Sequence, residues 1–165
     1  MDEATEQLNA VAATTDNLHV AGSAFVPLYS DAGVTYGTKG CTYMTGSHLY
    51  MNYSLDLPNH STVTMIRLYF NDTADTDGTL YLAQYDDGET YEYLATVNTS
   101  DSSGLGYSTV SGLNIELDNV NYNYVMYWMP GASGSTMQLC GFRIVYERPF
   151  LGATFVPAVM KNAEP

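Results

Sequence analysis

Reactive side chains are few in this chain and poorly grouped. His19, His48 and His60 stand far apart, and none is spaced to share a metal ion with another. No Gly-x-Ser-x-Gly elbow occurs, and neither cysteine has a histidine beside it. Folding could bring two distant acids together for hydrolysis, but most of the acids sit in turns, where solvation accounts for them. No catalytic set identifies itself, and the expectation is a protein that is not an enzyme.

One stretch has ligand-like spacing. Asn71-Asp72-Thr73-Ala74-Asp75-Thr76-Asp77-Gly78 places oxygen donors at intervals before a glycine, which is how a calcium loop gathers its ligands. Asp72, Asp75 and Asp77 are the candidate ligands, and calcium is the one cofactor considered. The competing reading is an acidic β-turn held by Asx capping, since Thr73 stands where such loops begin with Asp and no bidentate Glu follows.

Aromatic residues carry more information. The chain has 15 tyrosines and a single tryptophan. Strand alternation puts Tyr122, Tyr124, Met126 and Trp128 on one face, with Val125, Tyr127 and Met129 on the other. Tyr81, Ala83 and Tyr85 oppose Leu80 and Leu82, and Tyr91 and Tyr93 repeat the pattern. Several strands are therefore apolar or aromatic on both faces, which an isolated sandwich does not require. Tyrosine is good strand material that keeps its hydroxyl wet, and that alone explains part of the pattern. The remainder points to subunit packing or to a platform that stacks sugar rings, with Trp128, Tyr122 and Tyr124 as the expected ligand or interface aromatics.

The elements that must position these residues are short strands cut by turn chemistry. Thr62–Phe70 alternates cleanly, Leu80–Tyr85 and Tyr91–Val97 flank an Asp-Asp-Gly-Glu hairpin connection, and Met137–Glu147 is the last long strand of the body. Even spacing with almost no helix predicts an all-β, two-sheet antiparallel sandwich, jelly-roll-like, with an immunoglobulin-like order as the alternative. Residues 1–17, free of aromatics and glycine, read as a leader that is extended or a short helix. Residues 18–149 form the sandwich, and 150–165 a final strand or tail. Cys41 and Cys140 lie beside glycines near the two ends of the body. A disulfide between them is preferred over two buried free thiols and would imply an oxidising compartment. In that case Gln138, Cys140, Phe142, Ile144 and Tyr146 are the expected core face of the last strand.

Composition excludes some partners. Five Lys and Arg against 18 Asp and Glu give a net charge of −13, which opposes binding to nucleic acid and to anionic membrane surfaces. No apolar run is long enough to span a bilayer, and no basic-then-apolar signal opens the chain. The expectation is the mature form of an extracellular or cell-surface protein.

Ala21-Gly22-Ser23-Ala24-Phe25, Gly40-Cys41-Thr42-Tyr43 and Leu139-Cys140-Gly141-Phe142-Arg143-Ile144-Val145-Tyr146 resemble segments of exported bacterial β-sandwich proteins. The tail Phe155-Val156-Pro157-Ala158-Val159-Met160-Lys161 resembles the Phe-Leu-Pro-type endings of exported surface proteins, with Val156 and Ala158 in place of the usual leucines. The resemblance implies export and a surface or matrix role, and no reaction. The leading expectation is therefore a structural protein that assembles with copies of itself into a layer or fibre by strand addition. Leu8, Val11 and Leu18 at one end, or Phe155, Val156 and Val159 at the other, would enter the neighbouring copy. The alternative is a glycan-binding or adhesion module that uses exposed Trp and Tyr.

Overall fold

Runs of alternating large apolar and small or polar residues, broken by Gly, Pro, Asn and Asp, turn most of this chain into strands. The computed structural model describes residues 14–86, 91–99 and 104–149. In chain order the strands are β1 (Thr14–Ala21), β2 (Val26–Pro27), β3 (Gly33–Tyr36), β4 (Thr42–Thr45), β5 (Met51–Leu55) and β6 (Thr62–Asp72). There follow β7 (Thr79–Tyr85), β8 (Tyr91–Asn98), β9 (Gly104–Glu116), β10 (Asn123–Met129) and β11 (Met137–Arg148).

Two antiparallel sheets face each other. One runs β3-β4-β11-β6-β9, with β1 added along β11; the other runs β2-β5-β10-β7-β8. From β4 to β11 the strands are dealt between the sheets in the 4-11-6-9 and 5-10-7-8 order of a jelly roll. The core between them holds Phe25, Phe70, Phe142 and Trp128 with Met44, Met51, Ile66, Leu80 and Met126, all essentially inaccessible to water. Each such side chain contributes roughly 1.5–3 kcal/mol on transfer from water. Phe25, Tyr53 and Phe142 stack across the two sheets at ring distances of 5.6–5.8 Å.

The ends of the sheet differ from expectation. Thr14–Asn17 is already strand and pairs with Val145–Arg148, so the sandwich begins before Leu18. Asp16 is held there by Arg148, and Leu18 packs half-buried on its own core. Leu18 is therefore used within its own subunit in this structure. Leu8, Val11, Phe155, Val156 and Val159 lie outside the described residues, as does the final strand or tail expected over 150–165. Gly33–Tyr36, though bounded by glycines, forms β3 at the edge of the six-stranded sheet. Pro27 sits in the two-residue edge strand β2, where its missing N–H is tolerated.

Cys41 and Cys140 form a disulfide that spans 99 positions of sequence. It sits where the ladder is thinnest, since β4 meets β11 through the single pair Leu139 and Thr42. Cys140 is also the extra residue of a β-bulge: Leu139 pairs with Phe70 and Gly141 with Tyr69. The bulge reverses the phase of the strand. Met137 and Leu139 point inward before it, Phe142, Ile144 and Tyr146 after it, and Gln138 and Cys140 leave the expected core face. Gly141 has φ +143° and a Cβ there would lie 2.2 Å from the Val20 carbonyl oxygen, so only glycine lets β1 approach. A second irregularity between Val63 and Met65 puts Val63 inside along with Ile66, Leu68 and Phe70.

Candidate functional site

The outward face of the five-stranded sheet is built by β10, β7 and β8 in register. Tyr127 pairs with Tyr81, and Val125 with Ala83. Ala83 pairs in turn with Tyr93, and Tyr85 with Tyr91. On the opposite face Trp128 pairs with Leu80, and Met126 with Leu82, and these four fill the core. Ala83 and Val125 are buried as well, yet they stand apart from the main core cluster. The outer face thus carries an apolar layer of its own beneath its tyrosines.

A cleft of about 210 Å³ opens in this layer. Tyr81, Tyr91, Tyr93 and Tyr127 form one wall, while Tyr29 and Tyr50, from the segments beside β2 and β5, form the other. Leu28 and Met129 complete it, so no charged residue among those described lines the cleft. The rings brace one another. Tyr81 and Tyr93 lie 4.2 Å apart at 35°, Tyr91 meets Tyr93 edge-on at 4.9 Å, and Tyr91 meets Tyr127 at 5.5 Å. Across the cleft Tyr29 contacts Tyr50 at 6.1 Å and the His48 ring at 4.9 Å. His48 is fixed in turn by Asp31 at 3.1 Å. Tyr91 and Tyr93 are 45% and 52% exposed, so their faces are open to a ligand.

Burial, then the hydrogen bond with Tyr93, raises the Tyr91 phenol above its ordinary range. Burial followed by Tyr85 and Tyr93 raises Tyr127 likewise. Both hydroxyls therefore stay protonated through the physiological range and can donate as well as accept. Chemically the cleft offers flat, rigid, apolar faces edged with neutral hydroxyls.

The aromatics singled out from sequence are placed differently. Trp128 is fully buried, with no hydrogen-bond partner for its Nε1 among the described residues. It occupies a niche that Gly78 leaves open, since a Cβ at Gly78 would lie 2.2 Å from the Trp128 Cη2 atom. Tyr124 is buried too, and its hydroxyl accepts the Asp118 N–H at 2.8 Å. Tyr122 and Tyr124 border a second, more polar cleft of about 280 Å³ with Ser54, Asp56, Asn119 and Asn123. Trp128 and Tyr124 therefore do not present their rings to solvent, while Tyr122 is half-buried at that second cleft. β10 is apolar on both faces, so its own alternation could not say which face is inside. The usable signal was β7, where Leu80 and Leu82 must go inward and Tyr81 must not; pairing then turns Tyr127 outward.

The acidic turn is structural. Asp72 is buried: its Oδ1 accepts the Ala74 N–H at 2.9 Å and its Oδ2 accepts the Thr99 hydroxyl. Thr99 Oγ1 accepts the Gly78 N–H at 2.9 Å, which ties the turn to the end of β8. Asp75 and Asp77 remain exposed. Among the described residues no group of three or more His, Cys, Asp or Glu is arranged to hold a metal ion, and Asp72, Asp75 and Asp77 are not brought together. His60 pairs with Glu116 at 3.0 Å, and His19 stands exposed on β1.

No protein-family model matches the chain, and no curated protein sequence does. Several solved structures are similar in architecture. The C-terminal family 6 carbohydrate-binding module of a marine laminarinase from Zobellia galactanivorans is 18% identical with a TM-score of 0.47, covering 78% of this chain and 98% of that one. A family 35 carbohydrate-binding module from Clostridium thermocellum is 16% identical with a TM-score of 0.43, covering 78% and 97%. Murine APRIL is 12% identical with a TM-score of 0.44, covering 82% and 100%. Among the described residues no helix is long and apolar enough to cross a membrane.

Proposed function

We propose that this protein is a non-catalytic extracellular binding module that takes a neutral carbohydrate in the tyrosine cleft. The observation that carries the reading is a cleft walled by six tyrosines and lined, among the described residues, by no charged one, on the outer face of the sheet. Ligand sites combine apolar walls with a few fixed polar groups, and tyrosine supplies both on a side chain with little entropy to lose. The C–H face of a pyranose packs on such rings while its hydroxyls meet the phenols. The disulfide supports an oxidising, extracellular setting. The test is a panel of neutral oligosaccharides, with choline as a control for a cation held by the rings. Wild type is expected to bind a neutral sugar, and Tyr93→Ala to weaken it by about tenfold, the equivalent of one good ring contact. Binding of choline alone would replace the sugar with a cation.

Self-assembly is the second reading, favoured by a different observation. β9 is a 13-residue edge strand. Among the described residues no strand pairs with its outer side, and Gly104–Ile115 contains neither a charge nor a proline. Exposed edges are ordinarily blunted by such residues. The regular part of this edge, Gly104–Ser111 ahead of the irregularity at Gly112, invites pairing with a second copy, and this would be strand addition through β9 rather than through the chain termini.

A further inference from the structure

The outer face of the six-stranded sheet carries an unexpected charge. Of the chain's 5 Lys and Arg, Arg67, Arg143 and Arg148 lie on β6 and β11. Arg148 is paired with Asp16. Arg67 and Arg143 are direct cross-strand partners, and among the described residues no carboxylate forms an ion pair with either. His19, exposed on β1, is the register partner of Arg143 on its other side. Like charges directly opposed on neighbouring strands, with Cβ atoms about 5 Å apart, destabilise a sheet. In a chain of net charge −13, acids to neutralise them are plentiful, and among the described residues none is paired with either. The next acid along β11 is Glu147, four residues on.

Neutral groups hold the two arginines instead. Arg67 Nε donates to Thr109 Oγ1 at 2.9 Å, and its guanidinium lies 4.6 Å from the centroid of the Tyr107 ring. Arg143 donates through Nε and Nη2 to Asn17 Oδ1. These contacts fix the guanidinium planes and, among the described residues, leave the Arg67 Nη groups and Arg143 Nη1 without a hydrogen-bond partner. Tyr107 is 63% exposed and adjoins Tyr69 at 6.5 Å with the rings inclined at 55°, giving an angled aromatic corner beside the charges.

From this we infer a second binding site, centred on Arg67 and Arg143, for the carboxylate of an acidic saccharide. A planar guanidinium matches a carboxylate in geometry, and an oxyanion between two of them removes their mutual repulsion. The ring pair at Tyr69 and Tyr107 would receive the sugar that bears the acid. The site lies on the sheet opposite the tyrosine cleft and does not depend on that cleft being a sugar site.

Galacturonate trimer and the matching neutral galactose trimer serve as probes, titrated into 15N-labelled protein at low and at physiological salt. The acidic trimer is expected to shift amides of β6, β11 and β9 around Arg67, and the neutral one to leave them unmoved. Arg67→Gln and Arg143→Gln, checked for folding by their melting curves, are each expected to weaken the acidic trimer by about tenfold, as for loss of a charged hydrogen bond. Tyr93→Ala, on the other sheet, should leave that affinity unchanged. Equal response to both trimers, or no loss in either arginine variant, would overturn the site. So would arginine variants that alter only the oligomeric state, because the face would then receive the acids of a second copy.

Discussion

Replacing Trp128 with alanine is expected to remove about 3–5 kcal/mol of stability, the usual range for a large buried aromatic. Its ring is wholly inside and fills the niche over Gly78. Tyr93→Ala, at a position 52% exposed, should leave the urea midpoint almost unmoved. The reverse order of effects would mean that β10 presents its other face. Tyr91 gives a pH signature. Burial, chiefly, raises its phenol in the folded protein, whereas tyrosines of the unfolded chain ionise near pH 10. The folded state then holds the proton more tightly, so this contribution is complete below about pH 10 and is lost as pH rises further. Urea melts from pH 8 to 11 should show a steeper decline for wild type than for Tyr91→Phe. Identical slopes would contradict the assignment.

Most strands were legible as segments because alternation and turn residues mark them directly. Their phase was less so. At Cys140 and at Thr64 one extra residue enters the ladder, and every side chain beyond it changes face. Nothing in Met137–Glu147 except Gly141 hints at this, and glycine in a strand has several meanings. The β3–β4 hairpin is the element with most to lose from reduction. It meets β11 through one ladder pair and the disulfide. Cys41→Ser with Cys140→Ser is expected to lose about 2–5 kcal/mol, with about 4.7 kcal/mol predicted by chain entropy for a loop of 100 residues. Hydrogen exchange should show β3 and β4 opening first. Uniform loss of protection across both sheets would argue that the disulfide acts on the whole sandwich instead.

At the scale of the molecule, architecture was the most accessible property and use the least. Two-sided apolar strands announced that an outer face does something, and the structure gives that face a cleft. Which tyrosines share it could not be read from one strand, because Tyr29, Tyr50, Tyr91 and Tyr127 come from four separate parts of the chain. The alternative use of the surface, association through β9, has its own check. Sedimentation velocity of wild type against Ser111→Lys, a charge placed on the open edge, should show the variant shifted toward monomer. If both sediment as monomers at every concentration, that edge is not an assembly surface.

Mapping bound oligosaccharide by NMR locates any neutral sugar held by the tyrosine cleft. Saturable shifts are expected on Tyr81, Tyr91, Tyr93 and Tyr127, lost in Tyr127→Ala, with the Trp128 indole signal unchanged. Saturable binding mapped elsewhere, or no binding across a broad panel of neutral glycans, would contradict a sugar site there.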